Sequence, residues 1–410
     1  MDSLTEARRV RGVEIASKSV LKQRGFRWMV PSATGSTKYE VDLKTEWCSC
    51  PDHELRGRKC KHIFAVETWV ERQKNSDGSE TVTEARTITE TVTRKTYPQD
   101  WPNYNAAQTN EKRHFRKLLY ELCQSVPEFG KGKGRPRIPT CDALFSMIYK
   151  VYSTLSGRRF MTDLDHAREL GFIDKTPHYN SVFNYFEMEQ VTPILYSLIQ
   201  LASRPLSGIE EHFSIDSSGF STSRFVRWLD HKYGQRKKHD WIKIHIMCGT
   251  NTHVVTAVEI ADRNTHDITQ APALLDTTSD YFTMAEVSAD KAYLSRKLVG
   301  TISGYGAKPL IPMKSDSVVH RKDPKTWKKL FGLFHYERDR FLEQYSKRSN
   351  CETVFHMVKS KFGDSLRSKT DTAMINEALA KFMAHNICVC IQSAYELGID
   401  PEFSADADQP

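Results

Sequence analysis

Four residues within fifteen positions restrict the N-terminal part of this chain more than anything else in it: Cys48-Ser-Cys50, nine intervening residues, then Cys60-Lys-His62. Thiolate and imidazole are the usual ligands of zinc, and two ligand pairs brought together by a turn complete a closed, tetrahedral, structural site. The Cys-x-Cys spacing suits an extended strand, whose alternate side chains share a face. Cys48, Cys50, Cys60 and His62 are therefore expected to hold one structural zinc ion, with His53 the alternative to His62. The nine cysteines are odd in number and three fall in this group, a pattern of metal binding plus scattered buried thiols in a reducing compartment rather than a disulfide framework.

The rest of the chain is long enough for two or three domains, and its 39% hydrophobic and 27% charged residues exclude wholesale disorder and fibrous repeats. No apolar run approaches a membrane span and the opening MDSLTEARRVRG has no apolar core, so neither a span nor a signal peptide is expected, and the location expected is cytoplasmic. Lysine plus arginine, 59, exceeds aspartate plus glutamate, 51, and the excess is clustered at 131–137, 224–243, 314–329 and 338–369. Such clustering favours a polyanionic partner.

Pattern shifts divide the chain. Residues 1–75 read as a small hairpin followed by a helix around the metal ligands. Residues 76–100 continue a stretch rich in Thr, Glu and Ser that reads as a linker. Residues 101–205 are helical, with Phe115, Leu118, Leu119 and Leu122 at spacings of three and four. Within them, 161–188 holds two short helical patterns separated by Gly171 and Pro177, compatible with a helix-turn-helix and equally with two ordinary packed helices. From 206 to 400 three antiparallel strands are followed by alternating helix and strand, an α/β pattern that closes in a long helical stretch; 401–410 is an acidic tail.

Three carboxylates stand out by setting. Asp216 ends an apolar strand in HFSIDSSGF, Asp290 ends another in EVSADKAYL, and Glu352 lies on an amphipathic helix. Carboxylates at strand ends, where an α/β sheet opens to ligand, are well placed to hold hard cations, although a lone Asp after a strand is more often a turn or cap residue. Tyr345, Arg348, Glu352 and Lys359 are spaced so that one continuous α-helix places all four on one stripe.

The spacing Y-(2)-R-(3)-E-(6)-K at Tyr345, Arg348, Glu352 and Lys359, with IDSSGF, SADKAYL, WIKIH and the THD at 265–267, resembles the signature of DDE insertion-sequence transposases over about residues 100–395. WCSCPDHELRGRKCKHIFAV resembles a SWIM zinc finger. The first resemblance implies an RNase H-like mixed-sheet α/β core, two magnesium or manganese ions held by Asp216, Asp290 and Glu352, and cut-and-paste cleavage and strand transfer of transposon-end DNA into target DNA by a homo-oligomer. It also implies that Tyr345, Arg348 and Lys359 position DNA near the cut. Glu352 follows Asp290 by 62 positions, which leaves no room for the β-rich insertion some relatives carry.

Among further DNA contacts, GKGKGRPRIP at 130–139, with Lys133, Arg135 and Arg137, resembles an AT-hook, but it reads more readily as a basic, glycine-rich linker entering the helical layer near phosphates. Trp327 is expected to pin a short helix rather than stack on a base, His245 to be a sheet histidine, and His266 with Asp267 to cap a helix.

Overall fold

The computed structural model describes residues 3–32, 37–74, 100–129, 137–222, 241–261, 265–401 and 403. The chain forms two compact units, residues 1–98 and 99–410. The expected linker and most of the acidic tail lie outside the described residues, as do Lys133 and Arg135; Arg137 is described and exposed.

In the first unit, β1 (Lys22–Arg24), β2 (Arg27–Pro31), β3 (Lys38–Asp42) and β4 (Trp47–Cys48) form an antiparallel meander. Its buried side carries Trp28, Val30, Val41 and Cys48, which join Ile63, Ala65 and Val66 of the helix Lys61–Lys74 in one core. The hairpin and following helix expected from the sequence are β2 with β3 and this helix, within a longer meander; the helix Ser3–Lys18 was not expected, being polar on most of its surface and presenting only Ile15 and Ala16 to the core. Such a helix is held by packing and gives almost no periodic signal.

The second unit is built on a five-stranded mixed sheet in the order β7-β6-β5-β8-β9. β5 (His212–Ser221), β6 (Trp241–Gly249) and β7 (Val255–Ala261) are antiparallel neighbours, as the apolar runs predicted. β8 (Glu286–Ala289) and β9 (Lys308–Leu310) run parallel to β5, joined by helices as parallel connections require. The result is the RNase H-like mixed sheet expected from the resemblance.

Period two along β5 separates two cores. Phe213 and Ile215 point to the side covered by the helices Ala271–Ser279, Arg296–Gly304 and Lys325–Tyr336. Phe220 points to the other side, with Ile244 and Ile246 of β6, the helix Ser349–Phe362, and the helical layer formed by residues 101–206 around the helix Asp371–Leu397. That last helix is buried along most of its length, its apolar residues interspersed with buried polar ones such as Asn376, Lys381 and Asn386. The helical layer and the sheet thus share one continuous core within the second unit. The two helical patterns of 161–188 fall on the helices Gly157–Glu169 and Tyr179–Phe186, which pack into it.

Candidate active site and metal centre

In the first unit the ligand atoms of Cys48, Cys50, Cys60 and His62 all lie within 4.8 Å of one another, and all four residues are buried. Cys48 ends β4, Cys50 caps the short helix Pro51–Arg56, and Cys60 and His62 straddle the start of the helix Lys61–Lys74. The His62 Nδ1 atom is 3.8 Å from the sulfurs of both Cys48 and Cys60. With Zn–S near 2.3 Å and Zn–N near 2.0 Å, the edge of a zinc tetrahedron is about 3.5 Å, so the donor set and its spacing fit zinc. The thiols share their protons: Cys48 is held protonated by its hydrogen bond to Cys50, and the Cys50 thiol is pulled down as acceptor from Cys48 and Cys60. His53 turns away to the carbonyl of Arg58, 2.9 Å off, which leaves His62 as the histidine of the cluster.

In the second unit Asp216 and Asp290 come together through strand register. Ile215 of β5 pairs with Ala289 of β8 in parallel, and the two aspartates are the next residue on each strand. Asp216 does not end its strand, as the sequence suggested: β5 runs on to Ser221 against β6, while β8 stops at Ala289. The apolar run ends at Ile215 but the hydrogen-bonded ladder does not, so the aspartate sits mid-strand where its parallel neighbour has fallen away. Asp290 also fulfils the more ordinary role weighed for it, capping a 3-10 turn by accepting a 2.8 Å hydrogen bond from the amide of Ala292.

Glu352 reaches the pair through Arg348. The guanidinium lies 3.3 Å from Asp216 Oδ2 and also grips Glu352, and its carbon stands 6.0 Å from the ring centroid of Tyr345. Lys359 donates a 2.6 Å hydrogen bond to the Ser218 hydroxyl, two residues along β5 from Asp216 on the same face. The four signature residues do not share one continuous α-helix as their spacing predicted. Tyr345 ends the helix Arg338–Tyr345, a 3-10 turn spans Ser346–Arg348, and Glu352 and Lys359 lie on the helix Ser349–Phe362. The Ser346 and Ser349 hydroxyls each donate to the carbonyl three residues back, at 2.7 and 2.9 Å, a side-chain competition that tightens the backbone locally.

Burial pushes the Asp216 carboxyl above the ordinary carboxylate range, against the pull of the Ser217 amide and Arg348, with the Glu352 and Asp290 charges adding to the rise. Burial likewise raises Tyr345 to about 12, so its phenol stays protonated. Among the described residues the cysteine–histidine group is the only one whose ligand atoms close to metal-cage spacing. Asp216 and Glu352 instead hold the Arg348 guanidinium, with the Asp290 charge adding to its field, and the all-oxygen chemistry of the three carboxylates suits a hard divalent cation.

Behind the carboxylates, sequence reasoning missed two side chains. Ser218 receives Lys359, and the buried Tyr293 hydroxyl sits 3.2 Å from His245 Nδ1. The period-two reading of IDSSGF puts Ser218 beside Asp216 and was the available signal for the first. His245 is fully buried in the sheet, as expected. His266 occupies a cap position without a side-chain capping bond, and Asp267 pairs with Lys243. Trp327 is buried, donates to the Val318 carbonyl and is covered by Arg296, so it holds its helix in place.

Residues 207–387, which include all three carboxylates, match the family described as a transposase DDE domain, and residues 39–68 match the SWIM zinc finger. The chain carries a transposase DDE domain and a SWIM zinc finger. A solved structure similar to the chain is the cryo-EM structure of a piggyBac transposase synaptic complex with hairpin DNA, at 10% identity and a TM-score of 0.36 over 73% of this chain and 76% of that one. No helix among the described residues of this transposase-domain protein is long and apolar enough to cross a membrane.

Proposed function

We propose that the protein is a cut-and-paste transposase that cleaves transposon-end DNA and joins it to target DNA, with Asp216, Asp290 and Glu352 as the catalytic carboxylates. The observation that supports this most is the register of β5 and β8, which puts Asp216 and Asp290 each one residue beyond the last parallel pair, Ile215 with Ala289, together with the Arg348 guanidinium that bridges Asp216 and Glu352. The three carboxylates would hold two magnesium or manganese ions, which supply activation of a water or 3′ hydroxyl and stabilisation of the leaving oxygen. The chain's own part is positioning. Arg348 and Lys359 place positive charge on either side of Glu352 where backbone phosphates flank the cut. Tyr345, protonated throughout the neutral range, is a hydrogen-bond donor and not a base. Arg137, with Lys133 and Arg135, is assigned to flanking DNA. The SWIM finger at 1–75 would hold one structural zinc ion and the linker at 76–100 follows the boundaries read from the sequence, while 101–205 and 206–400 share one core and work as one body; two ends brought together call for a homo-oligomer working on DNA at the nucleoid.

The test is incubation of purified protein with a labelled element end, a target plasmid and magnesium. Joined product that disappears in Asp216→Asn, Asp290→Asn and Glu352→Gln, with folding retained, is the expected result. Nicks without joining would reduce the function to that of a nuclease, and shifted but intact DNA to that of a binding protein. Wild-type cleavage by any of the three variants would overturn the metal assignment.

A further inference from the structure

The face of the four-stranded sheet turned away from the zinc core is not an ordinary solvated surface. Strand register puts Lys22, Arg24, Arg27 and Lys38 on it, against the carboxylates Glu40 and Asp42, so cations outnumber acids two to one. Two large aromatic rings are exposed with them: Phe26, at 72% exposure in the turn between β1 and β2, and Trp47, at 36% on the edge strand β4. Both rings stand near the Arg27 guanidinium, whose carbon is 5.9 Å from the Phe26 centroid and 5.2 Å from that of Trp47 and which is held by a 2.6 Å ion pair to Glu40. The two centroids are therefore at most about 11 Å apart, close enough for one short strand to meet both.

Exposed rings spaced along a basic sheet combine the two elements that grip single-stranded nucleic acid, π-faces for bases and cations for the backbone. A protein partner of acidic character would use the charges but has no need of two rings near one guanidinium. We infer that this outer face of the SWIM unit binds unpaired DNA, with bases stacking on Phe26 and Trp47 and phosphates meeting Lys22, Arg24, Arg27 and Lys38. The inference concerns binding alone and stands or falls independently of cleavage at Asp216, Asp290 and Glu352.

The experiment uses the zinc-loaded full chain in magnesium-free buffer. Fluorescence anisotropy is recorded with a labelled oligothymidylate and with a duplex of equal length, and zinc content is measured for every variant. Phe26→Ala and Trp47→Ala should each weaken oligothymidylate binding about tenfold while duplex binding changes far less, and Trp47→Phe should restore most of the loss. Arg27→Gln should reduce the salt dependence by about one phosphate contact. Because the second unit can itself retain DNA, photocrosslinking with an iododeoxyuridine oligonucleotide is read alongside, and crosslinks should map to the peptides carrying Phe26 and Trp47. Oligothymidylate affinities within twofold of wild type in both alanine variants would overturn the inference. So would equal losses on duplex and single strand, or crosslinks confined to the second unit. If Trp47→Ala loses zinc, Phe26→Ala, away from the ligands, decides alone.

Discussion

Replacing Gly12 by alanine probes how the zinc cluster is supported. Gly12 lies on the helix Ser3–Lys18 where it crosses the helix Lys61–Lys74, and a Cβ there would stand 2.6 Å from the Phe64 Cβ, 2.8 Å from the Lys61 carbonyl oxygen and 2.9 Å from the Ala65 nitrogen. Two of those three atoms are backbone and cannot rotate aside. Comfortable carbon contacts begin near 3.5 Å, so the helices must separate by about 1 Å. Overpacking of this kind costs about 1–3 kcal/mol, against roughly 1 kcal/mol gained from the better helix propensity of alanine. The turn that moves contains His62, whose Nδ1 is already placed 3.8 Å from two sulfurs, while zinc sites tolerate errors of only about 0.2 Å in ligand distance. Gly12→Ala should therefore lower zinc affinity by about tenfold, as read by competition with a chromogenic chelator. Gly300→Ala is the control: that glycine lies within the helix Arg296–Gly304 with nothing within 4 Å of its added Cβ, so it should raise stability by about 0.5–1 kcal/mol and leave zinc untouched. Zinc affinity in Gly12→Ala equal to that of the native chain would refute the view that helix contact sets the position of His62.

Cys50→Ser should keep the helix cap, since serine caps as well as cysteine does here, yet lose the zinc ion measured by elemental analysis; a retained ion would show that Cys50 is not a ligand. Lys359→Met should cut end cleavage about a hundredfold with the melting temperature of the second unit little changed, because the lost contact is to Ser218 beside Asp216; unchanged cleavage would remove Lys359 from the site. His385 is buried and bonded to the His253 carbonyl, and burial lowers its pKa to about 4, below the unfolded value near 6.5. A depressed folded pKa means its contribution is complete above about pH 6.5 and is lost as pH falls toward about 4, so denaturant titrations at about pH 7.5 and pH 5 should differ by about 2 kcal/mol from this residue, a difference that His385→Gln should erase.

What the sequence made legible follows the strength of the local signal. The strands β5, β6 and β7 are apolar runs flanked by turn residues, and the cysteine–histidine group carries its own spacing, so both were readable without tertiary information. The helix Ser3–Lys18 was not, because its identity depends on Ile15, Ala16 and the bare surface of Gly12 meeting another helix. The break at Ser346–Arg348 was missed for the opposite reason: side-chain periodicity carried through it, while two serine hydroxyls redirected the backbone. Asp216 was read as ending its strand, since hydrophobicity falls at Ile215, although the pairing with β6 continues to Ser221.

That misplacement carries its own consequence for how the candidate site is held. Because β5 continues past Asp216, Ser218 and Phe220 extend the same face toward the helix Ser349–Phe362, and that helix is fixed against the strand at both ends: the Cys351 thiol donates to the Ser214 carbonyl at 3.8 Å, and Lys359 binds Ser218 while lying 5.1 Å from the Phe220 ring centroid. Val354, Phe355 and Val358 fill the interval in the shared core. The Glu352 side chain, by contrast, is 60% exposed and makes its polar contact with Arg348. The position of its backbone relative to Asp216 is thus set by the packing of its helix, and its carboxylate is tied to Asp216 only through the shared Arg348 guanidinium. A rigid helix on a rigid strand then leaves the carboxylate free to reorient toward a ligand, whereas Asp216, hemmed in by Ser217 and Arg348, is held in place.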